Sequence, residues 1–187
     1  MEKATFIEYR DRINSALRGI PQTSIDQSIA VISKTIENNN RIWIAGNGGS
    51  AATASHFATD LNRCTNSEND PVKGISLCDN LGLITAIGND FGYEHVFSRQ
   101  LMNLATRGDL LVVLTASGNS KNILNAMEWA KSQVITSLAL TGFEGGRVRA
   151  LADISLHVET AIGDYGVAED AHSILCHFLS SQFKVVS

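Results

Sequence analysis

The sequence predicts an α/β protein: a three-layer αβα sandwich around a five-stranded parallel sheet, preceded by two N-terminal helices. Three observations carry this reading. Five short apolar runs, at 41–45, 73–77, 109–114, 135–140 and 153–158, are separated by segments of helical character. The runs are continuously apolar rather than alternating, as in "DLLVVL", which is the pattern of strands buried on both faces. No Pro/Ser-rich linker, repeat or low-complexity tract interrupts them, so residues 1–187 are read as one domain.

The elements follow in order. Residues 2–18 form a charged, amphipathic helix, broken at Gly19 and Pro21. Ser24 and Gln27 have capping-box spacing and are expected to open a second helix that runs to Glu37. Residues 1–38 thus form a helical addition outside the sandwich. It packs either on a partner subunit or on the sheet of its own chain, and the sequence leaves both open. Further helices are expected at 50–62, 93–104, 119–131, 145–151 and 166–184.

Composition excludes several classes. Of the 187 residues, 44% are apolar and 18% charged, which suits a soluble globular protein. The net charge of −4 and the lack of any Lys/Arg block argue against nucleic acid. No apolar run approaches the ~20 residues of a membrane span, and the charged N-terminal helix does not resemble a signal peptide. Cys64, Cys78 and Cys176 are odd in number and lack metal-type spacing, so they are read as reduced thiols of a cytoplasmic protein.

Open parallel sheets bind ligands beyond the carboxyl ends of their strands, so the loops there hold the chemistry. The first, "GNGGSAAT", turns from Gly46 through Asn47, Gly48 and Ser50 into a helix, and its glycines let backbone amides approach an anion. It matches the loose G-x-G-x-x-[GA] dinucleotide pattern, but Asp79 lies further past Ala51 than the ~20 residues that fingerprint expects. A P-loop lysine is absent. No nucleotide cofactor is therefore expected. In the second loop, "TASGNSKN", Thr115, Ser117 and Ser120 present three hydroxyls around Gly118 at a helix start. That is a receptor for a phosphate monoester, whereas a plain cap needs only one.

Two helices add reactive groups. His56 and Asp60 stand at i, i+4 on one face, a spacing suited to acid/base work or metal ligation and equally to a surface ion pair. The last helix, "GVAEDAHSILCHFL", carries Glu169, Asp170, His172 and His177 in apolar surroundings. Glu169 and His177 are eight residues apart, about 12 Å of helix rise, so one small ligand meets both only with help from a frayed start or another subunit. Asn89, Asp90 and Gly92 read as a turn before a helix, with Asp90 a hydroxyl acceptor or part of an Asx turn.

Taken together, "GNGGSAATASHF", "LITAIGNDFGYEHVFSRQL", "GDLLVVLTASGNSKNIL", "LTGFEGG" and "EDAHSILCH" resemble the sugar isomerase (SIS) domain family, and within it the phosphoheptose isomerase branch. The resemblance implies a flavodoxin-like sheet and a homotetramer with interfacial active sites. It implies isomerisation of sedoheptulose 7-phosphate to D-glycero-D-manno-heptose 7-phosphate through an enediol. It places Asn47, Gly48, Ser50, Asp90, Thr115, Ser117, Asn119, Ser120 and Glu169 at the sugar phosphate, and the acid/base pair on Asp60 and His177. Zinc, bound by some members, would fall on His56, Asp60, Glu169 and His177. The chain departs from the branch pattern with Asp60 for Glu, Glu169 for Gln, and Gly166–Val167 for an Asp-Arg pair. The alternative within the family is a sugar-phosphate sensor without turnover; retention of an acidic residue and a C-terminal His favours the enzyme.

Overall fold

The computed structural model describes residues 5–64 and 72–184. Five strands, β1 (Arg41–Gly46), β2 (Lys73–Ser76), β3 (Leu110–Thr115), β4 (Thr136–Thr141) and β5 (Ile154–His157), form one sheet in the order β2-β1-β3-β4-β5, and every pairing is parallel. Around it lie α1 (Phe6–Arg18), α2 (Gln22–Glu37), α3 (Gly49–Asn62), α4 (Leu81–Phe91), α5 (Ser98–Leu104), α6 (Lys121–Ser132), α7 (Gly146–Leu151) and α8 (Tyr165–Ser181).

Side chains alternate across a strand, and two cores result. Ile42, Ile44, Leu110, Val112, Leu114, Leu138 and Leu140 face α2, α3 and α8, where they meet Ile32, Phe57, Leu61, Leu175 and Leu179. Trp43, Ala45, Leu111, Val113 and Ala139 face the opposite layer and pack on Ile87, Leu101, Ile123, Met127 and Val148. The leading helices dock on their own chain: Ile13, Ile25, Ile29 and Ile36 join the first core, while Phe6 and Ile7 remain exposed.

The amino end of the sheet is tied by buried polar groups. The Asp109 carboxylate accepts from the Trp43 indole at 2.8 Å and from the backbone amides of Arg41 and Thr106 at 2.9 Å each. Asp153 accepts from both the amide and the hydroxyl of Ser137, at 2.8 and 2.7 Å.

Several local expectations are corrected. Helix α2 starts at Gln22 behind Pro21, and no side chain caps it, so Ser24 lies inside the helix rather than at its start. Proline already fixes the extended entry there. A reciprocal capping box sits instead at Thr5 and Glu8, at the head of α1. Expected residues 2–4 of that helix lie outside the described residues. Helix α4 was not expected; Gly82 and Gly88 weaken its signal, yet Asn80 caps it through the Leu83 amide at 3.0 Å. The helix expected at 93–104 is a 3₁₀ turn, Tyr93–His95, followed by α5, and α8 ends at Ser181 rather than 184. Among the described residues no helix is long and apolar enough to cross a membrane.

Candidate active site

Strand β1 has β2 on one side and β3 on the other, so the chain leaves β1 and β3 in divergent directions and a crevice opens between their ends. The loop before α3 and the loop before α6 flank it. They enclose a cleft of about 120 Å³ lined by Asn47, Ser50, Thr115, Ala116, Ser117 and Ser120, with Tyr165 and Glu169 of α8 forming the far wall. Helices α3, α6 and α8 thus all present their amino ends to this space, and their dipoles make it attractive to an anion.

Each loop residue is placed by local chemistry. Gly48 stands at the head of α3 with φ 56° and ψ −123°, a conformation that side chains rarely adopt. Asn47 exchanges two hydrogen bonds with the buried Asn122, at 2.9 and 2.8 Å, and its Oδ1 also accepts from the Tyr93 hydroxyl at 3.0 Å. The Thr115 hydroxyl accepts from the Gly118 amide at 3.2 Å, and Ser117 Oγ accepts from the Asn119 amide at 3.3 Å. Ser120 occupies the N-cap position of α6, yet its side chain makes no cap hydrogen bond. Its hydroxyl is left for the cleft. Capping does not account for the three hydroxyls of this loop.

Glu169 enters the cleft because residue 49 is glycine. A Cβ on Gly49 would collide with the Glu169 carboxylate, which lies against the first turn of α3. Further along, α3 and α8 run side by side in the same direction. Asp60 Oδ2 stands 3.6 Å from His56 Nε2 and 3.7 Å from His177 Nε2, and the two imidazoles meet edge-to-face with centroids 4.8 Å apart. The ligand atoms of these three residues all lie within 4.8 Å of one another. The imidazoles are half exposed, whereas the Asp60 side chain is 14% exposed. Cys176 lies beneath; burial first, and the Asp60 charge second, push its thiol far up, which leaves it unreactive.

The cluster suits a divalent metal. Two imidazole nitrogens and one carboxylate oxygen are the donor set of an open zinc site. Ligand atoms ~2.1 Å from zinc at tetrahedral angles lie roughly 3.4 Å apart, near the 3.6 and 3.7 Å that separate Asp60 from the two imidazole nitrogens.

Three expected positions behave differently. Glu169 does not join the His56–Asp60–His177 group in one chain but lines the hydroxyl cleft, because the helix rise sets it apart from His177. Asn119 turns away from the cleft: its Oδ1 accepts from the Arg147 amide at 3.1 Å and its Nδ2 donates to the Ser117 carbonyl at 3.0 Å, bracing the loop on α7. Asp90 sits in the last turn of α4, in a separate groove with Phe91, Arg99 and Met102. Three site residues escaped the sequence reading. Asn122, inside the quoted "TASGNSKN", had a signal; Tyr93 and Tyr165 had none beyond being aromatic next to glycine.

Comparison with known proteins agrees with this geometry. The model of the SIS domain matches residues 5–142. The phosphoheptose isomerase of Helicobacter pylori (strain ATCC 700392 / 26695) is 37% identical over 177 residues, covering 95% of this chain and 91% of that protein. The phosphoheptose isomerase of Campylobacter concisus is 40% identical over 154 residues, covering 82% and 80%. Among solved structures, the phosphoheptose isomerase of Neisseria gonorrhoeae superposes with a TM-score of 0.84 at 30% identity, covering 95% of this chain and 94% of that one. The sheet order, the hydroxyl-lined cleft and these identities agree: the chain belongs to the SIS domain family, in its phosphoheptose isomerase branch.

Proposed function

We propose that the protein interconverts sedoheptulose 7-phosphate and D-glycero-D-manno-heptose 7-phosphate, with the phosphate in the hydroxyl cleft and the reacting carbons toward the His56–Asp60–His177 cluster. One observation carries this reading: the hydroxyl cleft and the imidazole–carboxylate cluster lie along the same pair of helices, α3 and α8. From Glu169 to His177 is about 12 Å of helix rise, and an extended heptose phosphate spans about 10 Å from phosphorus to C1. A linear seven-carbon substrate fits that span; a triose phosphate does not.

The residues divide the work. Ser117, Ser120 and the amides before α6 hold the phosphate and supply orientation rather than chemistry. Asp60 takes a proton from C1, which leaves an enediol across C1 and C2, and returns it at C2. His177 moves the proton between the two oxygens. The reverse assignment of acid and base uses the same atoms. His56, Asp60 and His177 would hold zinc, and a bound zinc ion would polarise the carbonyl oxygen. Glu169, acceptor-only where the branch has Gln, takes hydroxyl donors of the sugar and leaves the phosphate to the serine loop.

The cleft is smaller than the ~300–1,000 Å³ of typical small-molecule sites, so the carbohydrate extends out of it to where a neighbouring subunit closes the site. We place the chain in a homotetramer. Support comes from exposed apolar residues in two places: Phe6, Ile7, Ile174 and Phe178 on α1 and α8, and Leu81, Phe91 and Met102 on α4 and α5. In that assembly Asp90 serves a neighbour's sugar. The setting is the cytoplasm, where Cys64, Cys78 and Cys176, all free, stay reduced.

The experiment is incubation with sedoheptulose 7-phosphate and a panel of shorter ketose phosphates, with and without zinc, with detection of the aldose. Turnover confined to the heptose supports the reading. Binding without turnover by the zinc-loaded protein would make it a sensor.

A further inference from the structure

Helix α1 reaches the start of α8 at two points, both next to residues that line the cleft. The Tyr9 hydroxyl donates to Asp170 Oδ2 at 2.7 Å, and Arg12 Nη1 donates to Asp164 Oδ2 at 2.7 Å. The Arg12 guanidinium in turn lies 5.4 Å from the Tyr9 ring centroid. Tyr9 rests over Gly166, where a Cβ would stand 2.9 Å from the hydroxyl oxygen. Gly166 is one of the positions at which the chain departs from its branch, and here it makes room for this contact. Asp164 is the N-cap of α8 but makes no cap hydrogen bond, because its side chain is committed to Arg12.

The first turns of α8 therefore face two ways. Tyr165 and Glu169 point into the cleft, while Asp164 and Asp170 point to α1. The opposite wall has its own supports: Val148 donates to the Gly118 carbonyl at 3.0 Å, and Asn119 ties the serine loop to α7. The two walls thus rest on different elements, the start of α8 on α1 and the serine loop on α7. The hydrogen bond to Asp170 pushes the Tyr9 hydroxyl up to about 12, so it remains a donor at every working pH.

We propose that Tyr9 is a positioning residue: through Asp170 it fixes the pitch of the first turns of α8, and so sets Glu169 and Tyr165 against the sugar, while leaving the phosphate cradle untouched. This rests on the sugar-phosphate reading of the cleft. It gives α1 a part in substrate selection in addition to its packing.

The test is calorimetric titration of wild type, Tyr9→Phe, Asp170→Ala and the double variant with sedoheptulose 7-phosphate and, separately, inorganic phosphate. Each single variant should weaken the sugar phosphate about fivefold, the scale of one partly exposed hydrogen bond to a charge. The double variant should lose no more than either single, and inorganic phosphate should bind all four alike. In turnover the change should fall on KM, with kcat held. Equal weakening of both ligands, additive losses in the double variant, or unchanged affinity accompanied by a lowered Tm would overturn the proposal. If Tyr9→Phe does not fold, Asp170→Ala alone gives the ratio of sugar-phosphate to phosphate affinity, since it removes the same hydrogen bond from the exposed side. Failure of the wild type to bind the sugar phosphate would sink the sugar-phosphate reading and the proposal with it; a binding wild type with unaltered variants would sink the proposal alone.

Discussion

The two ends of the sheet use the same kinds of side chain to opposite effect. At the amino end, Asp109 takes three hydrogen bonds and Asp153 takes two from one serine, so these carboxylates are consumed by the fold. At the carboxyl end, Ser120 sits in a capping position without capping, and Asp60 stands 3.6–3.7 Å from two imidazoles without a close hydrogen bond to either. A polar group that is buried and satisfied stabilises; one that is held in place and unsatisfied is available to a ligand. The difference lies in saturation rather than composition.

Substitutions should separate the two ends. The largest effect is expected at the carboxyl end: Asp60→Asn and His177→Gln should each lower kcat by about 10²–10⁴-fold, with Tm nearly unchanged. Near-normal rates in both would remove them from the chemistry. At the amino end the balance reverses. Asp109→Ala strands three donors and should cost about 3 kcal/mol, lowering Tm by roughly 5–10 °C, while activity per folded molecule holds.

A pH effect of similar size is expected from between the two ends. His172, on the sheet-facing side of α8, is buried, and among the described residues neither ring nitrogen makes a hydrogen bond of good geometry; burial lowers it to about 4, with the Thr141 backbone offsetting only part of the shift. A group whose native value lies below its unfolded value of ~6.5 supports the fold in full above that pH and loses its support as the pH falls toward 4. The loss approaches about 3 kcal/mol, and a series of urea midpoints at stepped pH would register it. His172→Leu should flatten that segment of the curve. The smallest effect belongs to the cradle: Ser120→Ala should raise KM about tenfold with little change in kcat, since in the proposed binding mode Ser120 meets the phosphate and not the reacting carbons.

The sheet was legible in the sequence because its strands are buried on both faces and so read as unbroken apolar runs. Helix α4 was not, because two glycines and a turn-like Asn-Asp pair masked an apolar stripe that packing holds helical. The site divided in a similar way. Ser117, Ser120, His56, Asp60 and Asn47 announced themselves by residue type at a strand end or on one helix face. Tyr165 and Asn122 matter through contacts with distant segments, and sequence spacing carries no trace of those. Glu169 stood out in the sequence as a carboxylate in apolar surroundings, but periodicity along α8 cannot tell whether it faces the hydroxyl cleft or His177. That depends on the shift of α8 against α3, which is visible only in the fold, in the close approach of Glu169 to Gly49.

Three helix amino ends meeting at one cleft have a consequence for the medium. The protein as a whole carries a charge of −4, so a sugar phosphate is repelled at long range and drawn in only over the last few ångströms. Added salt shortens the reach of the repulsion, to about 10 Å at 0.1 M, but barely touches amides already in contact with the ligand. Capture of the substrate should therefore quicken with moderate ionic strength while its release stays constant, the opposite of the behaviour of a broadly basic phosphate-binding surface.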